Sequence, residues 1–258
     1  VRSNNIKTKD FSWTTAFNLS HNKNKILKLA DLPWFVDGRY VRKEGYPFNT
    51  IYLREYAGVD PETGSALYYD NQQDENGNYT KNKVTDPGQG SPIPLKDITP
   101  TISGGFMNTF NYKFIDLSFN LSYSFGGYSY DNASYILQDD GYSVISNKST
   151  EQRRRWQKPG DITDVPRFVY GNKKGGNYNS SRAIHSTDHI RLKSLILGLN
   201  APKAWLQKLG IGNARIYFSG TNLLTWAAYG QYDPEMSGVV GFYTPPLKTY
   251  AFGLELKF

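Results

Sequence analysis

The sequence has no cysteine among its 258 residues, which excludes disulfide frameworks, thiolate zinc sites and cysteine nucleophiles together. It also lacks any apolar run long enough for a membrane-spanning helix. The longest stretch free of charge, Ile216 to Tyr232, is interrupted by Ser219, Gly220, Thr221, Asn222 and Gln231, whereas such a helix takes about 20 predominantly apolar residues. A transmembrane strand needs only about half that length and is not excluded. Concentrated basic charge is scarce too. The net charge is +7, but the basic residues are spread along the chain and only Arg153, Arg154 and Arg155 form a run, so a nucleic-acid-binding stripe is not expected. Val1 to Asp10 is polar and has no apolar core of a secretion signal, so the expectation is a processed chain or a piece of a longer one.

Aromatic residues, by contrast, are abundant. Phe, Trp and Tyr make up 15% of the chain, with 20 Tyr and 14 Phe, a supply of large side chains that a disordered chain would lack. Their spacing is the informative signal. From Ile115 to Phe125 the odd positions read Ile115, Leu117, Phe119, Leu121, Tyr123 and Phe125, and the even ones Asp116, Ser118, Asn120, Ser122 and Ser124. Unbroken alternation of this kind makes a strand with one apolar and one polar face, of the length that crosses a bilayer at a barrel's tilt. The pattern returns over Phe11 to Leu19 and over Tyr250 to Phe258. Weaker copies run over Phe106 to Tyr112, His189 to Asn200, Ala214 to Trp226 and Tyr40 to Tyr56.

The connections alternate in length. A tight turn at Tyr112 to Phe114 is followed by a long Gly, Asn, Ser and Tyr-rich excursion between Gly126 and His189. A compact link at Ala201 to Asn213, with a short amphipathic piece at Trp205 to Leu209, is followed by Ala227 to Leu247. Short turns at one end and long loops at the other are the habit of outer-membrane barrels. The expected fold is therefore all-β, an antiparallel transmembrane β-barrel in which residues 1–258 supply about seven strands of a wall of about 22. With the strand from Thr249 descending to the periplasm, the first strand, near Asp10 to Asn22, would enter from the outside. The alternative is a soluble β-sandwich serving as a carbohydrate-binding module, which would bury Tyr250, Phe252, Leu254, Leu256 and Phe258 in a core.

Seven stretches, in order, carry a family resemblance: Glu44 to Pro47, Ala57 to Gly64, Gly104 to Phe110, Trp156 to Asp161, Ile190 to Lys193, Gly220 to Leu224 and Tyr232 to Glu235, with Phe258 after them. Together they resemble the C-terminal part of a SusC/RagA-type TonB-dependent transporter of the Bacteroidota. The resemblance implies an outer-membrane location and lipid contact. It further implies import of glycans or peptides with a SusD-like lipoprotein, and energising by the TonB complex through an N-terminal region and plug that these residues do not include. It also implies that the row Tyr250, Phe252, Leu254, Leu256 and Phe258 is read by the barrel-assembly machinery.

No enzyme chemistry is expected. Asp139 with Asp140, and Asp233 with Glu235, could be read as carboxylate pairs of a glycosidase, but such residues in Gly- and Pro-containing segments are turn formers. His185 and His189 have a helical metal spacing in a segment that feeds a strand, without the glutamate of the metalloprotease pattern. Gln72 to Lys83 has Asp74, Asn76 and Gly77 at calcium-loop places, but Gln72 and Lys83 stand where acids belong, leaving an Asn76-Gly77 turn. Neither a metal nor another cofactor is expected. For a transported ligand, the candidate contacts are Tyr128, Tyr130, Arg153, Trp156 and Tyr170 in the long loop after Phe125, where flat aromatic faces could stack on sugar rings or peptide side chains.

Overall fold

The computed structural model describes residues 1–172, 178–207 and 210–258. Seven strands form one antiparallel sheet: β1 (Arg2–Lys7), β2 (Phe11–His21), β3 (Ile102–Tyr112), β4 (Ile115–Phe125), β5 (His189–Asn200), β6 (Asn213–Ala227) and β7 (Thr249–Lys257). Each pairs with the next in the chain, so β1 and β7 are the two edges. Their connections are short at one end (residues 8–10, 113–114 and 201–212) and long at the other (22–101, 126–188 and 228–248). The short link 201–212 carries a helical turn at Lys203–Gln207; the remainder of the expected amphipathic piece, Lys208 and Leu209, lies outside the described residues.

The main sheet has seven strands, as expected, but its membership differs. Arg2–Lys7 belongs to it, and Tyr40 to Tyr56 does not. The Tyr40 stretch breaks at Glu44 to Pro47, where Gly45 adopts a φ of +88°, and divides into short strands at Tyr40–Lys43 and Thr50–Leu53. Arg2–Lys7 shows no alternation, having Ile6 as its one apolar side chain and a register shift between Asn4 and Ile6. The consequence is that β2 starts at the short-turn end, opposite to the direction expected for the Asp10 to Asn22 strand.

Register carries the apolar face across the sheet. Leu117 lies opposite Phe110 on one side and Leu197 on the other, Phe110 opposite Trp13, Leu197 opposite Phe218, and Phe218 opposite Phe252. Side chains directly opposite share a face, so one row of large apolar groups runs from β2 to β7. Neighbouring rings pack against each other within it: Trp13 stacks on Phe110 at 5.5 Å and Phe218 meets Phe252 at 5.3 Å. Among the described residues nothing buries this face. Tyr250, Phe252, Leu254, Leu256 and Phe258 are 47–88% exposed, the opposite of what a sandwich core requires.

The other face is polar, and close approach is built into it. Arg215 of β6 reaches over β5 to Asp116 of β4, with Nη2 donating to Oδ2 at 2.7 Å, and it also meets Glu255 of β7 at 3.3 Å. Gly198 lies beneath this bridge. A Cβ there would stand 2.4 Å from the Asp116 carboxylate and 2.7 Å from Arg215 Nε, so only glycine leaves the space for a cross-strand ion pair.

The long connections fold together into a separate packed layer. They hold a four-stranded sheet (Trp34–Asp37, Tyr40–Lys43, Thr50–Leu53 and Ile93–Asp97) and a three-stranded one (Tyr56–Val59, Ala66–Tyr69 and Lys83–Val84). A third sheet has Tyr128–Asp131 between Ile184–Ser186 and Gly238–Val240. Its Gly238–Val240 pairing is parallel, a departure from the expected antiparallel pattern. Ile51, Leu53, Tyr130 and Ala183 form its core cluster. Among the described residues, the buried apolar side chains apart from Leu206 in the short link belong to this layer.

Candidate functional site

The last long connection, residues 228–248, is a strap fastened over the polar face of the sheet. Arg191 on β5 is 3% exposed and sits between two of its carboxylates. Nη2 donates to Asp233 Oδ2 at 2.7 Å and Nη1 to Glu235 Oε2 at 2.9 Å. Lys193 adds a third contact, Nζ to Glu235 at 2.6 Å. A buried guanidinium is costly unless its charge is matched and its donors are used, which is why two acids converge on it. The strap keeps them in place through its own turn, the Glu235 amide donating to Asp233 Oδ1 at 2.9 Å.

Aromatic groups fasten the other end. The Tyr229 ring stacks on His185 at 3.6 Å and 2°, and its hydroxyl donates to Asp131 Oδ2 at 3.0 Å. Tyr232 shares a short hydrogen bond with Ser129. Burial holds the His185 imidazole below its ordinary pKa, with the Asp131 carboxylate acting in the opposite sense. Burial pushes the Tyr229 hydroxyl up. Both rings are therefore neutral partners near neutral pH.

Between the strap, the helix Asn132–Leu137 and β6 lies a cavity of about 630 Å³, within the size range of small-ligand sites. Its wall includes Met236, Phe242, Tyr243, Pro245 and Pro246, together with the polar groups of Arg191, Thr225, Gln231, Asp233 and Lys248.

The residues expected to touch a ligand do not converge. Tyr130 is 1% exposed. Its hydroxyl donates to Asn179 Oδ1 at 2.7 Å, Arg39 lies 4.4 Å over its ring, and burial raises its pKa, so its faces are used in packing. Trp156 is likewise engaged. Its Nε1 donates to the Pro61 carbonyl at 2.8 Å, and its ring covers Gly64, where a Cβ would come within 2.3 Å of it at a φ of +70°. Tyr128 is half-buried under Lys96, whereas Arg153 and Tyr170 are exposed.

The carboxylate pairs serve the fold. Asp139 binds Lys148 at 2.7 Å and accepts from the Gly141 and Ser143 amides. Asp140 is fully buried against Arg182 and Gln152, burial raising its pKa while Arg182 lowers it. The two histidines diverge, His189 Nδ1 lying 2.8 Å from the Thr187 carbonyl while His185 faces Tyr229. The Asn76-Gly77 turn is present, with Asp74 Oδ1 accepting from the Asn76 and Asn78 amides. The clamp and the cavity were not expected. The signal available for the clamp was charge: Arg191 and Lys193 on one segment, Asp233 and Glu235 on the other, each pair two residues apart.

No protein-family model matches the chain. Curated relatives do. TonB-dependent receptor P3 of Formosa agariphila is 32% identical over all of this chain and 28% of its own length. TonB-dependent receptor SusC of Bacteroides thetaiotaomicron is 26% identical over all of this chain and 26% of its own length. The chain thus spans about a quarter of the curated relatives it matches. Among solved structures, the RagAB peptide transporter superposes with a TM-score of 0.85 at 28% identity, covering all of this chain and 28% of that one. The RagAB peptide importer in its closed-closed state gives the same TM-score.

Over its whole length the chain is thus similar to part of TonB-dependent receptors of the SusC and RagA kind. Five of the seven ordered motifs meet, Leu224 of Gly220 to Leu224 pairing with Leu192 of Ile190 to Lys193. Trp156 to Asp161 docks on Pro61 and Gly64, and Ile190 to Lys193 binds Tyr232 to Glu235. Motifs scattered along the sequence thus hold the long connections to each other and to the sheet.

Proposed function

We propose that this chain forms part of the wall and outer loops of an outer-membrane importer that takes up glycans or peptides, together with a SusD-like lipoprotein and the TonB complex. The observation that carries this reading is the inverted sheet, whose large apolar side chains face outward while its polar side chains share a face with the clamped strap. A sheet exposed to hydrocarbon must pair all its backbone groups, so β1 and β7 would join further strands in the complete protein. The outward row Tyr250, Phe252, Leu254, Leu256 and Phe258 would be the surface read during barrel assembly. No enzymatic step is assigned, since Asp233 and Glu235 are neutralised by Arg191 and Lys193.

This chain has no cysteine of its own, so an introduced one is the single thiol of this segment. In the full-length protein in membranes, Phe252→Cys and Leu254→Cys should react with a lipid-dissolved thiol reagent and resist a water-soluble one, while Ser118→Cys should do the reverse. Equal labelling of both sets by the water-soluble reagent would overturn the membrane reading. Import itself is read from uptake of labelled oligopeptides and oligosaccharides by cells, which should cease without the TonB complex and fall without the lipoprotein.

A further inference from the structure

We propose that the cavity under the strap is a subsite for the carboxylate end of an oligopeptide bearing apolar side chains, a reading that rests on the importer assignment above. Three features point to this chemistry. First, part of the wall is aromatic and aliphatic, with Phe242 and Tyr243 66% and 61% exposed; open apolar surface of this kind suits an apolar side chain. Second, Lys248 lines the cavity and among the described residues no carboxylate lies within ion-pair distance of it, so its charge is available to an anionic ligand. Third, Asp233, the one carboxylate that lines the cavity among the described residues, is already bound by Arg191, so no free carboxylate stands there to repel an anion. A peptide terminus would find a cation for its carboxylate and rings for its last side chain.

The test uses the purified full-length transporter and calorimetry with three probes: an N-acetylated alanine peptide ending in leucine with a free carboxylate, the same peptide amidated, and a linear maltooligosaccharide. The free acid should bind about tenfold more tightly than the amide, the size of one charge-assisted hydrogen bond. Lys248→Gln should abolish that difference, and Phe242→Ala should weaken both peptides. Equal affinity of acid and amide in the unaltered protein, or no binding of either peptide, overturns the proposal without any variant having to fold. A preference that survives Lys248→Gln also overturns it, as does maltooligosaccharide binding that both variants weaken. Because the importer reading is checked separately by lipid-facing cysteine labelling, correct labelling with no carboxylate preference would reject this subsite alone.

Discussion

In the seven-stranded sheet Phe252 and Leu254 stand 82% and 62% exposed, while in the connections above it Ile51 and Tyr130 are closed off to 0% and 1%. The same kinds of side chain obey opposite rules in the two regions. In the connections, apolar groups leave water by packing on one another, at about 25 cal/mol for each Å² buried. In the sheet they stay outside and the polar groups turn inward, which is stable only where the outside is hydrocarbon. The polar face nonetheless has its own tightly held groups, Arg191 and His189 being 3% and 5% exposed. One region therefore depends on its core, and the other on its surroundings and its backbone pairing.

The largest expected effect lies in the loop core. Ile51→Ala should cost about 2–5 kcal/mol of local stability, as deletion of a buried branched side chain does. Hydrogen exchange in the full-length protein should speed up in Tyr40–Lys43, Thr50–Leu53 and Tyr128–Asp131 while β3 and β4 stay protected. Loss of protection in both regions would show that they are one cooperative unit. Next comes the wall. Leu121→Arg on the outward face should cost roughly 2–4 kcal/mol if it lies near the bilayer midplane, and Asn120→Arg on the inward face far less. The yield of assembled, heat-modifiable barrel measures both, and equal yields would reverse the face assignment.

A smaller effect is expected from Gly198→Val. It forces a side chain into the space beneath Arg215 and Asp116, an overpacking cost of about 1–3 kcal/mol. Replacing Arg215 and Asp116 together with smaller neutral residues should recover part of the loss. Thermal unfolding of the full-length protein reports it, and a Gly198→Val effect unchanged in that background would mean the bridge is not what the glycine serves.

The two regions were not equally legible in the sequence. The alternation of β4 and β7 announces itself because a wall strand has a different medium on each side and period two follows from that alone. Arg2–Lys7 was invisible because Ile6 is its one apolar side chain and a register shift between Asn4 and Ile6 breaks its period. Tyr40 to Tyr56 misled because its alternation serves two short strands of a loop sheet. The loop layer is held by contacts between segments far apart in sequence, such as Trp156 on Gly64, and no local period encodes these. Candidate ligand residues suffered most. Tyr130 and Trp156 have the composition of a sugar platform, yet packing uses their faces, while Lys248 and Phe242 gain meaning only from the cavity they share.

The smallest expected effect concerns the strap that joins the two regions. His185 is half-buried against Tyr229, and burial holds its pKa below the ordinary 6.5, with Asp131 opposing the shift. Above 6.5 the imidazole is neutral whether the strap is closed or open, and the stack contributes fully. As the pH falls below 6.5 the open form takes up the proton first, so the closed form loses stability until the lowered value is passed. Acidification from about pH 8 to 5 should therefore raise exchange of the strap amides, after correction for intrinsic rates. His185→Phe tests this, because it keeps an aromatic partner for Tyr229 and removes the titration. In that variant acidification should leave strap exchange unchanged. If the acid-induced opening persists in His185→Phe, it does not originate in this imidazole.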